Sequence, residues 1–360
     1  MSVLRSIVLL LLLSPAFAQG EPDNHAKHSK AEVTHIMDLA TSGDPKAQAA
    51  LGQAYADGNG VAQNFDLALK WYHKAADQGN ADAENEIGVM YRTGSGVEKS
   101  KEQAVAWYRE AARQGNGQAM FNLGAAYYNG DGLDVSDVAA YAWFTLGKEV
   151  GAKNAIDAVS RMDNELPAAT INAGLRMIAE MYAEGGQVKQ NDAESIRWYR
   201  KACERGDPEA QVKLASLLIE GHGVSKDYAE GRKWCEAAAK QNSPGGQACM
   251  GYLYRSGFGV DKNPSEAVKY LTQAAQANHA IAARMLGEMH ETGEAGKVDR
   301  VEALLWYLRA AMVGDKPARS DAIKLKASME PGEWSKAQQR MREQRMDPQK
   351  VEAFLQSGGE

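Results

Sequence analysis

The chain has 360 residues, with 47 Asp and Glu against 41 Lys and Arg, which gives a formal net charge of −6. The basic residues in the segment 324–345 alternate with glutamates, which indicates a solvated helix face. This composition disfavours a nucleic-acid binder, because such proteins need a concentrated basic face.

The first 18 residues have the three parts of a secretory signal peptide. Arg5 forms the short basic region, residues 7–13 form the apolar run, and the Ala-Phe-Ala sequence at residues 16–18 forms the cleavage site. The alternative is a membrane anchor, but this apolar run is shorter than the roughly 20 residues that span a bilayer. We therefore expect cleavage near Ala18, no membrane span, and a periplasmic or secreted bacterial protein.

Residues 19–30 are polar and are predicted to form a disordered tail. His25 and His28 lie in this tail, but two histidines in a solvated segment are weak evidence for a metal site, and we predict none. Residues 31–43 have the pattern of a single helix, which would cap the open end of the segments that follow.

A pattern of 36 residues begins near residue 45 and returns along the chain. In its first copy, Leu51 and Tyr55 lie four residues apart, as do Ala68 and Tyr72, so each pair shares a helix face. This spacing predicts a helix A at residues 45–57 and a helix B at residues 64–78, with glycines in the turn between them. A single hairpin of this kind cannot bury its own apolar face, so neighbouring copies must stack into a solenoid.

Glycine recurs inside helix A, where it costs about 1 kcal/mol relative to alanine. We expect two helices to approach closely at these glycines, with Trp71 filling the groove between them. The glycines are Gly52, Gly88, Gly124, Gly251 and Gly287.

The copies fall into two blocks. The spacing from Trp143 to Trp198 is 55 residues instead of 36, and Leu166 and Pro167 would end a short helix between them. We assign residues 31–166 to an N-terminal cap and repeats 1–3, residues 167–317 to repeats 4–7, and residues 318–360 to a C-terminal helical cap and tail. The segments after repeats 3 and 7 are predicted to be similar caps.

The recurring glycines, tryptophans and alanines resemble the Sel-one-like repeat (SLR) family, relatives of the tetratricopeptide repeat, over most of the chain. The resemblance implies an all-α fold, a right-handed α-solenoid of stacked helix-turn-helix repeats. Exported members of this family serve in envelope signalling, secretion and host contact, and the resemblance implies a comparable role here.

Helix A lines the concave side in related repeats, so a tetratricopeptide-like register implies which positions face a partner. These positions vary while the packing positions repeat, and some combine aromatic side chains with arginine, as interface hot spots do. Ordinary solvated surface is the alternative. The predicted partner-binding residues are Asn85, Arg92, Phe121, Tyr128, Asn129, Arg176, Glu220, Tyr252, Arg255 and Arg284.

Two of the three cysteines lie on either side of one short connection. Cys235 lies on helix B of repeat 5 and Cys249 on helix A of repeat 6. Some family members carry a disulfide in every repeat, and this chain does not. The sequence is compatible with a Cys235–Cys249 disulfide and also with two free thiols. Cys203 takes an alanine position and is predicted to be a buried small apolar residue.

Catalytic motifs are missing from the sequence. The Gly-x-Gly turns follow a helix and lack the Lys-Ser/Thr ending of a phosphate loop, and Ser-x-x-Lys, Gly-x-Ser-x-Gly, Cys-x-x-Cys and His-Glu-x-x-His do not occur. We predict no catalytic residue, no cofactor and no metal, and a scaffold or adaptor that binds a partner protein or an extended peptide. The alternative is a β-lactam or cell-wall-fragment binder or weak hydrolase, since some family members have been described in that way. A structural envelope spacer is a third possibility.

Overall fold

The computed structural model describes residues 29–356, so the predicted signal peptide and residues 19–28 of the predicted tail lie outside the described residues. Within residues 29–356 the chain forms 19 helices and no strand, which confirms the all-α fold of stacked helical repeats. The helices are α1 (Lys30–Thr41), α2 (Pro45–Asp57), α3 (Phe65–Ala76), α4 (Ala81–Thr93), α5 (Lys101–Arg113), α6 (Gly117–Asn129), α7 (Asp137–Glu149), α8 (Lys153–Glu165), α9 (Ala168–Glu184), α10 (Asp192–Glu204), α11 (Pro208–Glu220), α12 (Tyr228–Lys240), α13 (Pro244–Ser256), α14 (Pro264–Gln276), α15 (Ala280–Thr292), α16 (Arg300–Met312), α17 (Lys316–Ala327), α18 (Pro331–Glu343) and α19 (Pro348–Gln356).

The chain divides into two compact units, Met1–Ser195 and Ile196–Glu360. The division falls within α10. The module boundary that we predicted after residue 166 falls earlier, in the turn between α8 and α9, and both of these helices belong to the first unit.

Polar residues begin the helices of the first unit at the repeat period. Asp44, Asn80 and Asn116 each accept a backbone N–H from the first turn of α2, α4 and α6. These three helices end at glycines in the left-handed conformation, such as Gly58 with φ 68°. The local sequence therefore sets both ends of α2, α4 and α6.

Three hairpins form the stack of the first unit. They are α2–α3, α4–α5 and α6–α7, and each helix B also packs on the helix A that follows it. Helix α1 packs on α2 at the start of the stack. The contacts thus run between neighbours in sequence, which is the organisation of a solenoid.

The glycine inside each helix A lies directly against an aromatic ring of helix B. A Cβ built on these glycines would lie 2.7, 2.6 and 2.6 Å from ring carbons in the pairs Gly52–Tyr72, Gly88–Tyr108 and Gly124–Phe144. Any larger side chain would therefore push the two helices apart, and the predicted close approach is confirmed.

The residue that fills this groove is not the tryptophan. Trp71 is half-buried, and the Lys74 Nζ lies 3.9 Å from the centre of its ring. Tyr72, the next residue, is 2 % exposed and lies on Gly52. The prediction that Trp71 fills the groove was wrong, because the adjacent residue on helix B faces helix A.

A polar contact inside the hairpins was missed by the sequence analysis. Gln78 Nε2 donates to Gln48 Oε1 at 2.7 Å, and Gln48 Nε2 donates to the Ala40 carbonyl at 3.2 Å. One buried glutamine of α2 therefore links the turn after α3 to the preceding helix, α1. The second unit repeats the arrangement with Gln241, Gln211 and the carbonyl of Cys203.

Helix α7 ends the first run of hairpins and contacts both α8 and α9. Tyr141 of α7 donates its hydroxyl to Asp163 of α8 at 2.8 Å, and its ring would lie 2.7 Å from a Cβ on Gly174 of α9. In the second unit, α16 likewise contacts both α17 and α18. In both places a helix that follows the last hairpin, α8 or α17, packs on the helix B before it, and the similarity of the two caps stays a prediction.

The second unit contains the hairpins α11–α12, α13–α14 and α15–α16, followed by α17, α18 and α19. A Cβ on Gly251 or Gly287 would lie 2.5 Å from Leu271 or Tyr307. The close helix contact of the first unit therefore recurs here.

The two neighbouring cysteines are linked in the structure. A disulfide joins Cys235 of α12 to Cys249 of α13, with a Cα–Cα distance of 5.6 Å, which is the usual separation. Cys235 takes the position that Tyr72 has in α3, so a cysteine stands where the first repeat has an aromatic ring. Cys203 is buried as a free thiol.

Candidate functional site

Two of the residues predicted to face a partner in the first unit belong to the interior. Phe121 is 7 % exposed, and its ring lies 5.3 Å from that of Phe144. Asn85 is 3 % exposed, donates to Glu86 Oε1 at 2.9 Å and accepts from Asn122 Nδ2 at 2.9 Å. Both assignments to an open surface are corrected, because these side chains pack between helices.

The other predicted residues of the first unit are partly buried on helix A. Arg92 donates through Nε to the hydroxyl of Tyr108 at 3.3 Å, and burial raises the pKa of that hydroxyl to about 12. Tyr128 and Asn129 are half-buried near the end of α6. Arg176 lies 3.8 Å from Glu180 on α9. These residues therefore remain candidates for contact with a partner.

The second unit brings three predicted residues together in one open groove. Tyr252 and Arg255 of α13 and Arg284 of α15 line a cavity of about 530 Å³. The remaining lining residues come from the same two helices and from the loops that follow α13 and α15: Ser256, Lys262, Ile281, Met285, Glu288 and Glu294. Glu220, predicted with them, lies elsewhere, exposed at the end of α11 beside His222 at 3.0 Å.

Ion pairs hold the two arginines of the groove. Arg255 donates through Nη1 to Glu288 at 2.7 Å, and through Nε and Nη2 to the two oxygens of Glu294 at 2.9 and 3.2 Å. Arg284 donates through Nη1 to the other oxygen of Glu288 at 2.8 Å and lies 3.4 Å from Asp315. Glu288 therefore bridges both guanidinium groups.

The charges in this network stabilise one another. The hydrogen bonds from Arg255 hold the pKa of Glu294 below its usual range, and the hydrogen bonds to Glu294 raise the pKa of Arg255. Both groups are thus ionised over the whole physiological range. Two-point contact between a guanidinium and a carboxylate also fixes the side-chain geometry.

Aromatic rings support another part of the groove lining. Tyr252 is 38 % exposed, and its ring meets that of Phe258 edge-on at 5.9 Å. Phe258 in turn stacks on Tyr228 at 4.8 Å. Tyr252 is therefore an exposed ring that is held in place before any ligand arrives.

Sequence reasoning missed Glu294, Phe258 and Ile281. The first two lie in loops between helices A and B, where we looked only for turn glycines. Glu294 could have been noticed, because the repeat 7 loop replaces the usual second glycine with Ala295 next to it. Nothing in the sequence pattern marked Ile281, which is 52 % exposed at the start of α15.

The side chains that line the groove can contact a ligand through aromatic, aliphatic and hydrogen-bonding groups. Burial raises the pKa of the Cys203 thiol, and the other two cysteines are in the disulfide. Among residues 29–356, no three His, Cys, Asp or Glu side chains are placed to share a metal ion. What the groove offers is one ordered aromatic ring, one exposed aliphatic side chain and fixed hydrogen-bond donors.

The fold and the groove define a helical-repeat protein of the solenoid class. The sequence pattern of the family described as Sel1 repeat matches residues 45–80, 81–116, 117–150, 169–207, 208–243, 246–279 and 280–315. These matches cover well over half of the chain, and the protein belongs to the Sel1 repeat family. Repeats of this family generally serve as non-catalytic scaffolds for protein interactions.

Two solved structures of the same repeat class are similar to the chain. One is c5321, described as a protective antigen present in uropathogenic Escherichia coli strains, with 29 % identity, 86 % of this chain and 70 % of that chain covered, and a TM-score of 0.44. The other is a Sel1 repeat protein from Oxalobacter formigenes, with 26 % identity, 75 % and 96 % covered, and a TM-score of 0.33. No curated protein matches the sequence.

None of the helices between residues 29 and 356 combines the length and apolar character that a bilayer crossing requires.

Proposed function

We propose that the chain is a non-enzymatic scaffold that binds a partner protein, through an extended segment of it, in the groove of the second unit. The observation that carries the proposal is the exposed Tyr252 ring beside the Arg255–Glu288–Arg284 network. Aromatic and arginine side chains in one concavity are enriched at the energetic centres of protein interfaces.

The order of the groove supports this proposal. Tyr252 is fixed by Phe258, and Arg255 is fixed by two carboxylates, so these side chains lose little conformational freedom when a partner binds. Association normally costs about 0.5–1.5 kcal/mol for each flexible side chain that becomes immobilised. A surface ordered in advance avoids much of that cost.

The compartment is part of the proposal and rests on the sequence alone. The basic, apolar and small-residue parts of residues 1–18 favour export, with action in the bacterial cell envelope in signalling, secretion or host contact. Cell fractionation and N-terminal sequencing test this part. A mature protein that retains residues 1–18 and remains inside the cell would contradict it.

A photo-crosslinking experiment tests the binding groove. A photoreactive amino acid is placed at Ile281, inside the groove, and in a matched protein at Val298, which is 57 % exposed in the second unit but does not line the groove. Illumination of native cells should produce a covalent adduct with one protein at Ile281 and not at Val298. Equal labelling at both positions, or no adduct at Ile281, contradicts the proposal.

The crosslinked species also separates the scaffold from the alternative function. A protein adduct identified by mass spectrometry supports the scaffold. An adduct that consists only of cell-wall fragments would support a cell-wall-fragment binder instead and refute protein binding at this groove.

A further inference from the structure

The groove of the second unit carries balanced charges. Three cations, Arg255, Arg284 and Lys262, line it together with the carboxylates of Glu288 and Glu294. Asp315, which is nearly buried, adds a third carboxylate behind Arg284 at 3.4 Å. An acidic ligand would be attracted by the cations and repelled by the carboxylates, and a basic ligand would be repelled by the cations and attracted by the carboxylates. Neither sign of charge is favoured overall.

Hydrogen-bond donors remain available in spite of this balance. A guanidinium has five N–H groups. Three of those of Arg255 donate to Glu288 and Glu294, and two of those of Arg284 donate to Glu288 and Asp315. The remaining N–H groups can donate to neutral acceptors, and the carbonyls of a peptide backbone are acceptors of this kind.

The apolar part of the groove has room for a side chain. Tyr252 and Ile281 are 38 % and 52 % exposed and line the same concavity. Met285, one turn after Ile281 on α15, also lines it and is 8 % exposed. Since Tyr252 is held by Phe258, its ring gives a rigid wall. An aliphatic or aromatic side chain placed here would bury apolar surface on both sides.

We infer that the groove selects an extended peptide segment without net charge, anchored by one aliphatic or aromatic side chain between Tyr252 and Ile281. Its backbone carbonyls accept hydrogen bonds from Arg255 and Arg284. This inference rests on the proposed function and specifies the chemistry of the partner. Recognition depends on shape and backbone contacts, so it is insensitive to salt.

Selection from a random peptide library tests this chemistry. Phage-displayed peptides of about 12 residues are selected on the purified full chain, and the dissociation constants of the enriched peptides are measured at about 50 and about 500 mM NaCl. We expect peptides with an apolar anchor and almost no net charge, whose affinity changes by less than about threefold between the two salt concentrations. Ile281→Ala and Tyr252→Ala should each weaken binding by about tenfold.

Matched variants separate the groove from general surface effects. Val298→Ala removes a similar exposed aliphatic side chain outside the groove and should leave affinity within about twofold. Glu288→Gln removes the carboxylate that bridges both arginines, so it should shift the selected peptides toward acidic sequences with salt-dependent binding.

Each result distinguishes the inference from the function on which it rests. Enrichment of strongly acidic or basic peptides that lose about tenfold or more in affinity at high salt would overturn the inference and leave protein binding in place. If Tyr252→Ala and Ile281→Ala leave the enrichment unchanged, the peptides bind elsewhere, and both the inference and the proposed function are overturned. An unchanged selection with Glu288→Gln would refute the role of charge balance.

Discussion

Replacing Gly287 by alanine should destabilise the hairpin α15–α16, although alanine favours a helix more than glycine does. The Cβ of the new residue would lie 2.5 Å from two ring carbons of Tyr307 and 3.0 Å from a third. The ring cannot move aside easily, because it is 2 % exposed and its hydroxyl donates to Glu291 at 2.7 Å.

The expected magnitude follows from two opposing effects. Overpacking of a well-filled interior costs about 1–3 kcal/mol, and the fixed ring puts this site at the upper end. Alanine recovers about 1 kcal/mol through its better helix propensity. The net loss is therefore about 2 kcal/mol, which corresponds to an increase of roughly 30-fold in the population of the locally open state.

Hydrogen exchange resolved by mass spectrometry is the appropriate assay, since repeat proteins open hairpin by hairpin. Amides of α15 and α16 should exchange about 30-fold faster in Gly287→Ala than in the wild type. Gly332→Ala is the control, because a Cβ on Gly332 of α18 would meet nothing within 4 Å. Unchanged or slower exchange in α15 and α16 would refute the argument that this glycine is needed for close packing.

Three further predictions concern the disulfide, one histidine and the corrected aromatic residue. Replacing Cys235 and Cys249 by serine removes a cross-link across a sequence separation of 14 and should lower the free energy of unfolding in urea by about 3 kcal/mol. If reductant leaves the urea midpoint of the wild-type protein unchanged, the pairing is contradicted. The Nδ1 of His279 caps α15 by accepting from Ala282, and burial lowers the pKa of His279. As pH falls below about 6.5, the His279 imidazole is protonated in the unfolded chain before it is protonated in the folded protein. The free energy of unfolding should therefore decrease with falling pH until the depressed pKa of the folded state is passed. In urea titrations at several pH values, His279→Asn should remove this part of the decrease. Phe121→Ala should cost about 3–5 kcal/mol in the same urea assay, whereas a loss of less than about 1 kcal/mol would restore Phe121 as a surface residue.

The helices could be read from the sequence because their signals are local and repeated. Pro45–Asp57 was predicted with the bounds that α2 has in the structure. The glycine within helix A also predicted close packing correctly. The identity of the packing side chain could not be predicted, because Trp71 and Tyr72 are both large apolar residues in adjacent positions, and the orientation of helix B against α2 decides which of them lies on Gly52.

The candidate site could be predicted only in part. The repeat register placed Tyr252, Arg255 and Arg284 in one groove, but it also placed Asn85 and Phe121 on an open surface. These two and Arg284 take the same position, three residues before the helix A glycine. That position lies at the edge of the inward face, and the packing of the neighbouring hairpin decides whether it is buried.

The sequence by itself determined the order of the paired helices in the repeats and their stacking. Backbone hydrogen bonds, capping residues and glycine act within a few positions, and their effects recur at each repeat. Only the tertiary structure decided which charges neutralise each other, since Arg255 meets Glu288 and Glu294 across separate elements. Coulomb attraction depends on distances of a few ångströms between side chains that lie far apart in the chain, and stacking of the folded repeats sets those distances.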